Sequence, residues 1–250
     1  MRYDTRYRPR SSFFNSSFPN GVKWLLISNI AVYLVYFFVP RLFFPFQLIP
    51  HMVVRGALWQ LVTWLFLHDP GNILHILFNM LALWMFGTPV EQTWGTRRFL
   101  QYYFLCGIGS GVCVVLVNIL MGNEYQATIG ASGAIFGLLL AFGMLFPEQE
   151  ILFMFLFPLK AKYAVMIYGA IAFLGTLSPG GTVSHLAHLG GMIFGYIYIK
   201  TQFSRKRVRV GAGSAFNFNI GQAWRDYKMQ RAKKKFQVYM KKHGNGPWVN

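Results

Sequence analysis

The chain has 250 residues, 54% hydrophobic and only 12% charged, where a soluble domain carries about a quarter charged residues. That balance excludes an ordinary soluble globular domain, because charge-free stretches repeatedly reach the roughly 20 residues that cross a bilayer. The net charge of +17 is not spread over a folded face: of 24 Lys and Arg, four lie in residues 1–21 and twelve in residues 202–250. Basic tails flanking an apolar body read as cytoplasmic anchors to anionic lipid, and without a recognisable binding motif they do not read as a nucleic-acid surface. The chain therefore divides into a basic N-terminal tail (1–21), a membrane domain (22–201) and a basic C-terminal tail (202–250).

Six apolar spans follow in chain order, giving an all-α polytopic membrane protein. The first, Trp24–Pro40, is bracketed by Lys23 and Arg41. No signal-peptide pattern precedes Gly21, so this span is expected to direct insertion itself. A segment from Arg41 to Asn72 follows, too long and too aromatic to be a disordered loop, and is expected to be partly buried in the outer leaflet. The second span, Ile73–Val90, carries His75 and Asn79. The third, Phe99–Met121, holds both cysteines, Cys106 and Cys113; seven residues apart on a helix they lie about 10 Å from one another, too far to bridge. The fourth, Ala131–Phe146, is short. The apolar run Ile151–Phe157 cannot span and is expected to be a buried or interfacial connector. The fifth span, Tyr163–Leu177, ends at the turn Ser178-Pro179-Gly180-Gly181, and the sixth is Thr182–Ile199.

Orientation follows from the flanking charges. With both termini cytoplasmic, the inside segments hold the two tails, Arg97, Arg98, Lys160 and Lys162, and the outside segments hold only Arg41 and Arg55. An even number of spans agrees with that bias. The product is a multi-pass integral membrane protein, expected in a prokaryotic inner membrane.

Hydroxyl and imidazole groups are costly inside hydrocarbon, so a serine and a histidine there mark a functional site. Gly130-Ala131-Ser132-Gly133 opens the fourth span, whose roughly 16 residues cover about 24 Å, less than the hydrocarbon thickness. Ser132 thus sits at a submerged helix start, where free N–H groups favour an oxyanion. Gly133, Gly137 and Ala141 form a small-residue stripe at i, i+4, i+8, and Ala187, Gly191 and Gly195 form its match on the sixth span. Ser132 and His188 each flank the first member of a stripe, so close packing in that register would bring hydroxyl and imidazole together. Phe136, one turn on from Ser132, is placed to stack on the imidazole. His75 and Asn79, at i and i+4, share one helix face and can both donate to an oxyanion. The seven acids, Asp4, Asp69, Glu91, Glu124, Glu148, Glu150 and Asp226, are all read as lying in tails or loops, so the chemistry is that of a Ser132–His188 dyad without a third member. No cofactor is called for, and without an H-E-x-x-H motif or an intramembrane carboxylate no metal is either.

His75-Ile76-Leu77-Phe78-Asn79, Gly130-Ala131-Ser132-Gly133 and Ala187-His188 with Gly191 and Gly195, in that order, resemble the rhomboid intramembrane serine proteases from about Trp24 to Ile199. The resemblance implies a rhomboid-like bundle, with Ser132 as nucleophile and His188 as general base. His75, Asn79 and the Ser132 backbone N–H would bind the oxyanion, and Gly130, Gly133, Phe136 and Gly191 would support the site. It further implies single-span membrane proteins as substrates, cut near the outer face, with the fifth span gating lateral access. Three features depart from the family pattern: Trp59-Gln60 stands where Trp-Arg is common, Phe136 where Tyr is common, and His185 precedes His188 by one turn with no assigned role. The alternative is a catalytically silent rhomboid-like protein that binds or shuttles membrane clients. For the C-terminal tail, Ile220, Trp224, Tyr227, Phe236 and Tyr239 recur at near-helical spacing, consistent with a helix lying on anionic lipid.

Overall fold

Helix α1 (Asn20–Phe38) opens the computed structural model of the chain, which describes residues 18–153, 157–177 and 183–206. Its exposed side carries Trp24, Ile27, Leu34 and Phe38, a surface suited to lipid rather than water. Pro40 follows the helix and starts a 3₁₀ turn, Pro40–Phe46. Residues 1–17 and 207–250, the greater part of both basic tails, fall outside the described residues, and with them the proposed tail helix at Ile220–Tyr239.

The long segment after α1 is structured throughout. It contains α2 (Pro50–Val54), α3 (Gln60–Thr63) and a second 3₁₀ turn at Trp64–Phe66. Its inner side buries Leu48, Ile49, Trp64, Leu65 and Leu67 in the core, while Leu42, Phe44, Val54 and Leu58 face outward. Gln60 is fully buried and acts as its clasp. Its Oε1 accepts the Ile49 N–H at 3.0 Å and its Nε2 donates to the Pro45 carbonyl at 3.1 Å. Trp59 Nε1 donates to the same carbonyl at 3.0 Å, and Thr63 Oγ1 to that of Phe46 at 2.7 Å. A neutral amide, donor and acceptor at once, meets a backbone N–H and a backbone C=O with one side chain.

Helix α4 (Ile73–Trp94) turns through Gly95 into α5 (Thr96–Leu120). Among the described helices α1, α4 and α5 are long and apolar enough to cross a membrane. Helix α6 (Ser132–Leu145) is shorter, at 14 residues or about 21 Å, and packs against α4, α5 and α7. Strands β1 (Glu150–Phe153) and β2 (Phe157–Lys160) pair antiparallel, with Glu150 opposite Lys160, and lead into α7 (Ala161–Leu177). Helix α8 (Val183–Lys206) follows.

Of the connector expected at Ile151–Phe157 to be buried or interfacial, the described residues fall in the two strands, with Ile151 buried and Leu152 and Phe157 exposed. One expectation is corrected: not all the acids lie in tails and loops, since Glu91 sits in the last turn of α4 at 2% exposure. Its Oε1 accepts the Gly21 N–H at 2.7 Å and the Thr96 hydroxyl at 2.6 Å, and its Oε2 accepts the Val22 N–H at 2.7 Å. The carboxylate thereby caps the start of α1, where unpaired N–H groups and the positive helix end favour an anion.

Candidate active site

Ser132 is the first residue of α6. The first bond of the helix runs from the Ile135 N–H to the Ala131 carbonyl at 3.1 Å, so the N–H groups of Ser132, Gly133 and Ala134 lack intrahelical acceptors. Gly130 positions this start. Its φ of +127° is a conformation that other residues rarely adopt, and its N–H donates to the Trp64 carbonyl at 3.0 Å, tying the serine loop to the segment after α1. Leu48 and Thr128 reinforce the tie by exchanging two backbone hydrogen bonds, at 3.0 and 2.9 Å.

The space beside the Gly130 α-carbon is where α4 meets the serine. A Cβ placed there would lie 2.9 Å from His75 Nε2 and 4.0 Å from Ser132 Oγ. The absent side chain thus leaves a small opening flanked by imidazole and hydroxyl. On its other side the His75 ring accepts the Asp69 N–H at Nδ1, at 3.4 Å. Asn79 Nδ2 donates to the His75 carbonyl at 2.7 Å, and an amide nitrogen carries a second N–H.

Helix α8 is held against α6 as the two small-residue stripes require. A Cβ on Gly191 would overlap the Gly133 carbonyl oxygen, and one on Gly137 would lie 3.2 Å from the Gly191 carbonyl oxygen. Helix α5 adds polar clasps that the apolar pattern of its span conceals. Ser110 Oγ donates to the Ala187 carbonyl and Tyr102 Oη to the Gly137 carbonyl, both at 2.7 Å. Tyr102, Cys106 and Ser110, at i, i+4 and i+8, all face the α6–α8 contact, and their spacing was the signal available for finding them. Both cysteines are free thiols.

His188 stacks flat on Phe136, with ring centroids 3.9 Å apart and planes within 4°. Tyr168 of α7 meets the Phe136 edge at 6.1 Å, so the imidazole plane is set by packing. Ser132, His188, His75 and Asn79 line one cavity of about 650 Å³, together with Ser184 and apolar residues of α4, α6 and β1. No direct hydrogen bond joins Ser132 Oγ to the His188 ring among the described residues, and such bonds are often long before substrate closes them. His185, one turn before His188, packs its ring against Gly175 of α7. Among the described residues, no three His, Cys, Asp or Glu side chains come close enough to share a metal ion.

A helical bundle with an apolar exterior, and a serine, two histidines and an asparagine lining one cavity, defines a membrane protein with a polar site among its helices. Residues 55–205 match the Rhomboid domain, and the chain belongs to the rhomboid family. It is similar to rhomboid protease GluP of Bacillus subtilis, 34% identical over 145 residues, covering 58% of this chain and 26% of that protein. The mitochondrial rhomboid protein 1 of Saccharomyces cerevisiae is 35% identical over 127 residues, with coverages of 50% and 36%. Rhomboid-like protease 3 of Toxoplasma gondii is 29% identical over 190 residues, with coverages of 72% and 68%. The chain thus spans between about a quarter and two thirds of the length of these relatives. Membership and the apolar helices together establish an integral membrane protein. Because the relatives come from bacterial and mitochondrial settings alike, they do not single out the prokaryotic inner membrane.

Proposed function

We propose that the protein is an intramembrane serine endopeptidase that cleaves single-span membrane proteins with Ser132 and His188. Ser132 Oγ attacks the scissile carbonyl while His188 accepts its proton, and the imidazolium then protonates the departing amine. The oxyanion forms between the Ser132 N–H, the His75 side chain and the second N–H of Asn79. The observation that carries this reading is the opening beside Gly130, with His75 Nε2 and Ser132 Oγ on either side of it. Packing supports it too, since the Phe136 stack orients His188 in place of a third triad member.

The proposed topology has six spans with both termini cytoplasmic, and Ser132 is reached from the outer side. Arg97 and Arg98 in the first turn of α5, with Lys160 at the end of β2 and Lys162 in the first turn of α7, supply the inside charge. There the ammonium groups of Lys160 and Lys162 hold the Glu148 carboxyl down at about 2.

A fluorophosphonate probe tests the reading, since only an activated serine reacts. Wild-type protein in detergent labels at Ser132 and cleaves a single-span substrate near its outer end. Ser132→Ala and His188→Ala each abolish cleavage, and the double variant is no worse than either single one. More than about 1% of wild-type turnover in purified Ser132→Ala refutes the assignment, because residues acting as a unit fail together.

A further inference from the structure

The Asp69 N–H points at His75 Nδ1, 3.4 Å away. A backbone N–H can only donate, so Nδ1 must present its lone pair there, and a neutral imidazole then carries its single proton on Nε2. Nε2 is the nitrogen that faces the opening beside Gly130, 2.9 Å from the empty Cβ position. We propose that the turn Asp69–Asn72 selects the Nε2–H tautomer of His75, and that Asp69 is a positioning residue of the oxyanion site. The proposal rests on the proteolytic reading above and assigns a role to a turn outside the dyad.

The turn is built to hold that N–H in place. Asp69 Oδ1 accepts the Gly71 N–H at 2.9 Å, closing a side-chain turn of the kind Asp and Asn favour. The Asp69 carbonyl accepts the Asn72 N–H at 3.1 Å, and the Asn72 carbonyl accepts the His75 N–H at 3.0 Å. An unbroken series of bonds therefore runs from the Asp69 side chain to the backbone of the residue whose ring it serves. His68, fully buried, sets its ring edge-on to His75 at 5.1 Å between centroids and limits the swing of that ring. With the proton on Nδ1, two N–H groups would face one another, and the Nε2 lone pair would oppose the developing negative charge. A tautomer exchange thus turns an oxyanion donor into a repulsive acceptor without moving an atom heavier than hydrogen.

The test uses the full chain, ¹⁵N-labelled at its histidines, in detergent micelles, with the His75 resonances identified by their loss in His75→Gln. Wild-type His75 is expected as the Nε2–H tautomer. Asp69→Ala, which removes the Oδ1 brace, should give a mixture of tautomers and lower kcat about 10-fold at nearly constant KM, less than the loss of a whole oxyanion donor. Asp69→Asn keeps the acceptor oxygen without its charge and should restore both readouts, which a general loss of stability would not allow. The proposal is overturned by an Nδ1–H tautomer in the wild type. It is equally overturned if Asp69→Ala leaves resonances and kcat unchanged, or if Asp69→Asn fails to restore the tautomer. A wild-type chain that does not label with fluorophosphonate would sink the proteolytic reading instead, and the resonances alone would then uphold or overturn the hold of the turn on His75.

Discussion

Gly191→Ala is the sharpest probe of how packing serves the proposed chemistry. The added Cβ would overlap the Gly133 carbonyl oxygen and lie 2.7 Å from its carbonyl carbon. Carbon atoms rest at about 3.5–4.0 Å, so relief requires α6 and α8 to part by about 1 Å. The obstacle is backbone on both sides, so no side chain can swing away. Overpacking of this kind costs roughly 1–3 kcal/mol. The larger effect is on register, because Gly133 follows Ser132 directly and Gly191 lies one turn after His188. A misplacement of about 1 Å between reacting groups can cost on the order of 100-fold in rate. Gly169→Ala is the control: its Cβ would meet only the flexible end of Met192, at 3.3 Å from Cε. Cleavage of a single-span substrate and thermal unfolding, measured in the same detergent, should show Gly191→Ala deficient in both and Gly169→Ala near wild type. Wild-type turnover in Gly191→Ala would refute the claim that the stripe contact sets the register of the dyad.

Glu91→Ala leaves the N–H groups of Gly21 and Val22 and the Thr96 hydroxyl without their shared acceptor, and should cost about 2–4 kcal/mol in equilibrium unfolding. Because Glu91 lies outside the cavity, turnover per folded molecule should hold, and an unchanged unfolding midpoint would remove its capping role. Gln60→Ala unpairs the Ile49 N–H and the Pro45 carbonyl, so limited proteolysis between residues 41 and 72 should quicken, with a loss of about 1–3 kcal/mol; equal digestion rates would show that other contacts hold the segment. Burial, with the neighbouring His75 ring adding to it, pushes the His68 pKa down to about 3. Unfolded His68 therefore binds a proton that the folded form refuses, and stability falls as pH drops below about 6.5, by roughly 3 kcal/mol at pH 4. His68→Phe should flatten that slope in melting scans between pH 7 and pH 4, and an unaltered slope would assign the acid sensitivity to other groups.

Several features of this protein were legible in the chain itself. Apolar runs long enough to cross a bilayer, the basic tails, and a serine and histidine beside matched small-residue stripes are all properties of short windows. Hydrocarbon makes such windows informative, because a polar group there is expensive unless it has a purpose. The stacking of Phe136 on His188 could be anticipated from spacing, since Phe136 lies one turn on from Ser132 and Ser132 and His188 each flank the first member of a stripe. Tertiary structure alone decided the partners of Glu91, which caps backbone groups 69 and 70 residues earlier in the chain. It also decided that Gln60 clasps Ile49 to Pro45, that Ser110 holds the Ala187 carbonyl 77 residues away, and that the connector after α6 pairs as two strands. The physical reason is common to all four. Periodicity and composition record how a segment meets its surroundings, whereas a hydrogen bond between distant residues depends on which carbonyl or N–H the fold brings within 3 Å, and every residue but proline offers both groups alike.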